Sequence, residues 1–166
     1  MSETTTPPRS AGLPADVAVL LFADVSGSTR LYDTMGDAVA VKAIDGCVSV
    51  MRERTEACGG RVVKTIGDEV MAIFRNASDA AQAAMEMQLG INALPRVGRN
   101  QLGIRIGFHL GQVVERDGDV FGDTVNLAAR LSGLATKGQI ITTRETVDRL
   151  LIDFLVEAFR MRAWPA

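Results

Sequence analysis

Arg61-Val62-Val63-Lys64-Thr65-Ile66-Gly67-Asp68-Glu69-Val70-Met71-Ala72-Ile73-Phe74 sets the architecture around which the rest of the chain is arranged. Two short β-prone runs flank Gly67-Asp68, a pair suited to a tight turn with glycine at the φ > 0 position. The pattern predicts a hairpin with Val62, Val63, Ile66, Val70, Met71, Ile73 and Phe74 in a covered sheet. Charge interrupts that apolar pattern only near the turn, where Asp68 and Glu69 are adjacent and Lys64 precedes them. A carboxylate at the tip of a buried hairpin is placed to hold a hard cation through its oxygens. For the dipeptide alone, a plain turn is the commoner fate. A second acid at a second strand end, Asp24, lifts the metal reading.

Upstream, Asp16 to Ala23 is a continuous apolar run of strand length, the pattern of a central strand covered on both faces. It ends in Asp24-Val25-Ser26-Gly27-Ser28-Thr29. Small and hydroxyl residues at a strand-to-helix turn expose backbone N–H groups at the positive end of a helix, which favours bound phosphate. Helix capping by Ser26, Ser28 or Thr29 is the plainer reading of the same residues, and the two can coexist. Helical periodicity then runs from about Ser28 to Ala57, in two pieces broken near Gly36, and Gly59-Gly60 ends it.

Downstream, Asn76 or Ser78 caps a helix expected from about Asp79 to Leu94, with Met85 and Met87 as core filler. Strands are expected over Leu102–His109 and, after a bend near Gly111, over Gln112–Glu115. A turn at Arg116–Asp119, a helix over Thr124–Leu134 and a strand over Lys137–Thr142 follow. Thr142-x-x-Glu145 resembles a capping box opening a helix that runs through Leu150. His109 has no nucleophile motif beside it and reads as structural. The sum is an α+β sandwich, a mostly antiparallel sheet with helices packed on it.

The 166 residues suit one domain, and 47% hydrophobic content is ample for a core. A net charge of -2 with scattered Lys and Arg argues against a nucleic-acid partner. Cys47 and Cys58 lack CxxC spacing and have one histidine to join them, so they read as reduced thiols. Residues 1–16 are polar and Pro-rich and read as a disordered tail. No basic signal-peptide start is seen, and Val17 to Ala23 is too short to span a bilayer. A soluble, cytoplasmic domain without membrane partners is therefore expected.

Three groups of residues carry chemistry. Asp24 and Asp68, at the rim of one sheet, can share a pair of divalent ions, a standard route to phosphoryl chemistry. Asn126 and Arg130 lie four apart on one helical face, where a guanidinium suits phosphate and a carboxamide can orient a sugar. A solvated stripe is the commoner fate of such a pair, but Val125, Ala128, Ala129 and Leu131 mark most of that helix as buried. Lys64 and Asp119 form a donor and an acceptor able to read the edge of a purine.

Phe22–Thr29, Lys64–Glu69 and Asp119–Arg130, in this order and separation, resemble the motifs of class III nucleotidyl cyclases over roughly residues 17–145. The resemblance implies a ferredoxin-like sheet with helices on one face, working as a head-to-tail homodimer with shared sites. It implies that Asp24, Asp68 and the Val25 carbonyl bind two Mg²⁺ or Mn²⁺ ions. Ser26, Gly27, Ser28 and Thr29 would then cradle the triphosphate. Lys64 and Asp119 match the adenine-selecting pair, which implies ATP over GTP. Asn126 would orient the ribose and Arg130 would stabilise charge on the α-phosphate. The product implied is 3′,5′-cyclic AMP with release of pyrophosphate.

The match fails after the last predicted helix. Family domains continue into two strands with a Lys-Gly segment that touches the triphosphate, whereas this chain has no lysine after Lys137. Residues 17–150 are thus read as the catalytic domain and 151–166 as an atypical segment. A nucleotide-binding or dimerisation module without turnover is the alternative this departure leaves open.

Overall fold

A strand whose residues are buried without a break must be covered on both faces, and Val17–Ser26 (β1) satisfies this from Ala18 to Ala23. In the computed structural model, which describes residues 13–162 with side chains through 160, β1 is the centre of a five-stranded sheet. In chain order there follow α1 (Ser28–Met35), α2 (Asp37–Ala57), β2 (Arg61–Ile66), β3 (Glu69–Phe74) and α3 (Ala77–Asn92). Then come β4 (Gly103–Gln112), β5 (Val114–Arg116), β6 (Asp119–Phe121), α4 (Asp123–Leu134), β7 (Ile140–Thr142) and α5 (Arg144–Arg162). The sheet order is β2-β3-β1-β4-β7, antiparallel except for the β4–β7 pair, and β5 with β6 forms a separate hairpin.

The sheet's two faces have different covers. Val19, Leu21, Ala23, Val70, Ala72, Phe74, Ile104 and Ile106 point to one face, where Cys47 and Met51 of α2 and Ala80, Ala84 and Met87 of α3 pack on them. Leu20, Phe22, Met71 and Ile73 point to the other, under Ala128 of α4. Helices therefore cover both faces, not one as the family resemblance implied. The reason is legible in β4: Gly107 and Gly111 leave room on that face for α4 to lie close. A Cβ on Gly107 would stand 2.3 Å from the Ser132 backbone nitrogen, and one on Gly111 would stand 2.4 Å from Thr124 Oγ1.

The Gly67-Asp68 turn is as expected: Ile66 pairs with Glu69, and Gly67 takes φ 60. That is the glycine-first pattern of a two-residue hairpin turn. Coverage is uneven, however. β3 is buried from Val70 to Phe74, while β2 is the sheet edge and Ile66 is 51% exposed. Asn76 caps α3 as read, its Oδ1 accepting from the Ser78 and Asp79 amides, but Met85 is exposed and only Met87 is core.

Three further expectations change. β6 was read only as turn and approach to a helix; the tight turn at Asp117-Gly118 joins it to β5. The Thr142 hydroxyl donates to the Phe108 carbonyl and so does not open a capping box; Thr143 precedes the first turn of α5. The last helix passes Leu150 and continues to Arg162. Of the tail expected over 1–16, residues 1–12 lie outside the described residues, and Asp16 accepts a bond from the Val113 amide at 2.8 Å.

Candidate active site

Register places the charged side chains. Asp24 of β1 stands opposite Glu69 on β3 and Arg105 on β4, so all three project to the α4 face at the sheet's rim. The turn that carries Asp68 closes over them, its carbonyl accepting from the Val25 amide at 3.3 Å. The two aspartates predicted to meet do meet: Asp24 and Asp68 come within hydrogen-bonding reach of each other. Burial raises the Asp24 carboxyl above its ordinary value; the Arg105 bond lowers it, and Asp68 raises it again. Glu69 is raised by burial first, then by the charges of Asp24 and Asp68.

Arg105 is the residue the sequence reading passed over. Its Nη2 donates to Asp24 Oδ2, while its Nε is buried with no partner among the described residues. The available signal was one cation inside an otherwise apolar strand, Ile104-Arg105-Ile106. No group of three or more His, Cys, Asp or Glu side chains fit to hold a metal is found among the described residues. The protein's offer is therefore two carboxylates, with the Val25 carbonyl adjacent in sequence. That set fits Mg²⁺ or Mn²⁺, which bind through one or two carboxylates, waters and substrate phosphates. Like charges pressed together under partial burial also favour a cation beside them.

The turn after β1 does not show the side-chain capping read as the plainer alternative. Gly27, at φ 93, is the residue before α1, and no side chain caps that helix. The hydroxyls of Ser26, Ser28 and Thr29 are not spent on the helix start.

Lys64 reaches its place through an irregularity. Arg61 and Val62 pair with Ile73 and Ala72, but Lys64 pairs with Met71, so Val63 is an extra residue in β2. A one-residue shift moves every later side chain to the opposite face. Lys64 thus joins Met71 on the α4 face instead of pointing under α2 and α3. There its Nζ pairs with Asp119 Oδ2 at 2.9 Å. The β5–β6 hairpin that presents Asp119 is fastened by Arg61, which donates to the Gly118 carbonyl and to Glu115, each at 3.2 Å, and by Arg75 to Glu115. The Lys64 bond and the Val120 amide hold Asp119 below the usual carboxylate range.

Asn126 and Arg130 are not brought to either cluster. Both are exposed on the outer side of α4, with no side-chain partner among the described residues. Within a single chain they form the solvated stripe that the sequence reading set aside. His109 spends Nδ1 on Thr143 Oγ1 at 2.7 Å, and burial lowers its pKa. Cys47 and Cys58 are free thiols, Cys58 donating to Glu86 at 2.6 Å. No helix among the described residues is long and apolar enough to cross a membrane.

Comparisons with known proteins identify the family and the fold. Residues 13–162 match the family model described as the adenylate and guanylate cyclase catalytic domain. An adenylate cyclase of Streptomyces coelicolor is 35% identical over 150 residues, covering 87% of this chain and 35% of that protein. An uncharacterised protein of Mycobacterium tuberculosis is 36% identical over 138 residues, 81% of this chain and 45% of that one. The chain thus spans less than half the length of these relatives. Among solved structures, an adenylate/guanylate cyclase/hydrolase from Silicibacter pomeroyi aligns with TM-score 0.66 and 32% identity, covering 78% of this chain and 76% of that one. A dimeric guanylyl cyclase domain from Blastocladiella emersonii shares the fold at TM-score 0.73 and 20% identity, over 81% and 83% of the two chains. The chain belongs to the adenylate and guanylate cyclase catalytic domain family, the class III nucleotidyl cyclases.

Proposed function

We propose that this domain is an adenylyl cyclase that converts ATP to 3′,5′-cyclic AMP and pyrophosphate in the cytoplasm, at sites shared between two copies of the chain arranged head to tail. The observation that carries the reading is the meeting of Asp24 and Asp68 at one rim beside an uncapped helix start. Asp24, Asp68 and the Val25 carbonyl would hold two Mg²⁺ or Mn²⁺ ions. Bound there, divalent ions supply positive charge to the α-phosphate and lower the pKa of the ribose 3′-hydroxyl.

The chain's own groups do the rest. Backbone amides and hydroxyls from Ser26 to Thr29 receive the triphosphate at the positive end of α1. Arg105 balances the acidic pair and keeps one buried N–H unspent for a substrate oxygen. Lys64 and Asp119 of the second copy, paired when no base is present, would part to donate to N1 of adenine and accept from its 6-amino group. Guanine offers the reverse pattern at its 6-position. On the second copy, Asn126 orients the ribose so that the 3′-oxygen attacks the α-phosphorus in line. Arg130 meets the charge that develops there as pyrophosphate leaves. Both α4 side chains are exposed and without a side-chain partner among the described residues, which supports their use across a two-fold interface.

The test is cyclic nucleotide formation from ATP and from GTP with Mn²⁺, in this chain and in Asp68→Ala. Cyclic AMP made by the first and lost in the second supports the enzyme. A second reading, a binding or dimerisation module, is favoured by α5 running as one helix where the family is expected to form strands. A folded dimer that binds ATP and makes no cyclic nucleotide selects it.

A further inference from the structure

On the face of the sheet opposite the acidic rim, α2 and α3 part toward the loop that precedes β4 and leave an open cavity of about 420 Å³. That volume lies within the roughly 300–1,000 Å³ of small-ligand sites. Val39, Ala43 and Cys47 form one stripe of α2 along its wall, and Ile91, Leu94 and Leu102 face them. Gly46 lines the same space, and a Cβ added there would meet nothing within 4 Å.

The charge on the lining has one sign. Lys42 and Arg96 are both cations, no lining residue is acidic, and the chain as a whole carries 20 acids against 18 bases. Both cations are exposed, so their charge sits at the mouth while the apolar stripe lies behind. Arg96 bonds to the neutral Gln101 carboxamide at 3.4 Å, and neither cation has an ion-pair partner among the described residues. An apolar interior closed by unpaired cations matches a ligand with a hydrocarbon body and an anionic end.

The cavity is tied to the catalytic rim through its walls. Asn100 Nδ2 donates to Thr34 Oγ1 of α1 at 3.0 Å, Met35 of α1 stands against Gly98, and Leu102 stands against Gly27. The loop lining the cavity is therefore fastened to the helix that begins at the phosphate turn. On the α2 side, the charge of Asp68 reaches the Cys47 thiol.

We infer that this cavity binds a small organic anion with an apolar body, of which a medium-chain carboxylate is the simplest member, and that its occupancy tunes the Val25–Thr29 turn. The binding stands on the cavity alone; the tuning rests on the cyclase reading. Calorimetric titration of the purified chain with decanoate tests the first part. Saturable binding with Kd between about 1 μM and 1 mM is expected. It should weaken at least about tenfold in Gly46→Leu, which fills the cavity, and in the Lys42→Glu/Arg96→Glu pair, which reverses its mouth. Circular dichroism should confirm that both variants fold. Uncharged decanol should bind the charge-reversed pair as well as it binds the original chain. No saturable decanoate binding, or undiminished binding in Gly46→Leu, overturns the site. For the second part, decanoate should change kcat or the KM for ATP at least about twofold in the original chain and not in Gly46→Leu. Binding without that change in an active enzyme overturns the tuning. Binding to a chain that makes no cyclic nucleotide keeps the cavity and removes the cyclase reading.

Discussion

At the rim between β1 and β3, charged groups press on one another: Asp24 bonds to Arg105 and is raised by neighbouring Asp68, Glu69 feels both aspartates, and all are partly buried. On the outer side of α4, Asn126 and Arg130 stand in solvent with no partner among the described residues. In the proposed function, the first region is the half that receives a cation within one chain. The second offers a donor and a cation to something outside the chain. The difference teaches what the proposed function requires of one chain: two unlike halves of a site, one assembled by sheet register and the other left for a neighbour.

The rim half should break hardest. Asp24→Asn is expected to lower cyclic AMP formation by at least about 10³-fold while leaving melting temperature unchanged or higher, since one of two neighbouring like charges is removed. Mn²⁺ should raise the melting temperature of the original chain and not that of the variant. Loss of activity accompanied by loss of fold would mean that Asp24 is structural.

Arg130→Ala should cost about 10²- to 10³-fold in kcat with the thermal unfolding curve unmoved, because the side chain is exposed and has no hydrogen-bond or ion-pair partner among the described residues. A fall in stability equal to that of a core change would place Arg130 in the fold and erase the contrast. A smaller effect, on selectivity, is expected from Lys64→Glu. Set against Asp119, the new carboxylate should reduce the ATP-over-GTP ratio of kcat/KM by at least about tenfold without unfolding the chain. An unchanged ratio would remove Lys64 from base recognition.

The smallest effect concerns the packed face beneath the rim. Burial pushes Cys47 and Cys58 up to about 11, with Asp68 adding to the first and Glu86 to the second. A raised thiol pKa keeps the unreactive protonated form at neutral pH. Alkylation by iodoacetamide should thus stay slow at pH 8 and still be rising at pH 10, with Cys58 ahead of buried Cys47. A rate that levels off below pH 9 would contradict the packing described there.

Much of this was legible because the signals are local. The unbroken run Val17–Ala23, the break at Gly36, the Asn76 cap and the Gly67-Asp68 turn each follow from a few adjacent residues, and each lies where it was read. Less legible were features set by register between distant strands. The extra residue at Val63 that turns Lys64 outward, and the pairing of Arg105 with Asp24, depend on which strand lies beside which. Exposure misled in two places. Met85 and Ile66 look like core by composition, but a helix's outer side and an edge strand leave them in water. After Leu150 no glycine or proline stops α5, so helix-forming residues carry it to Arg162 although Phe154 and Phe159 remain exposed.

One measurement addresses the two-halves account directly. Asp68→Ala and Arg130→Ala, each inactive alone, should be mixed under conditions where subunits exchange, with heterodimers detected through different affinity tags. One site of the heterodimer then carries both lesions and the other carries neither, so each heterodimer should have about half the activity of the original dimer, and a fully exchanged equimolar mixture about a quarter. Heterodimers that form and remain inactive would contradict the claim that the rim of one chain works with the α4 of another.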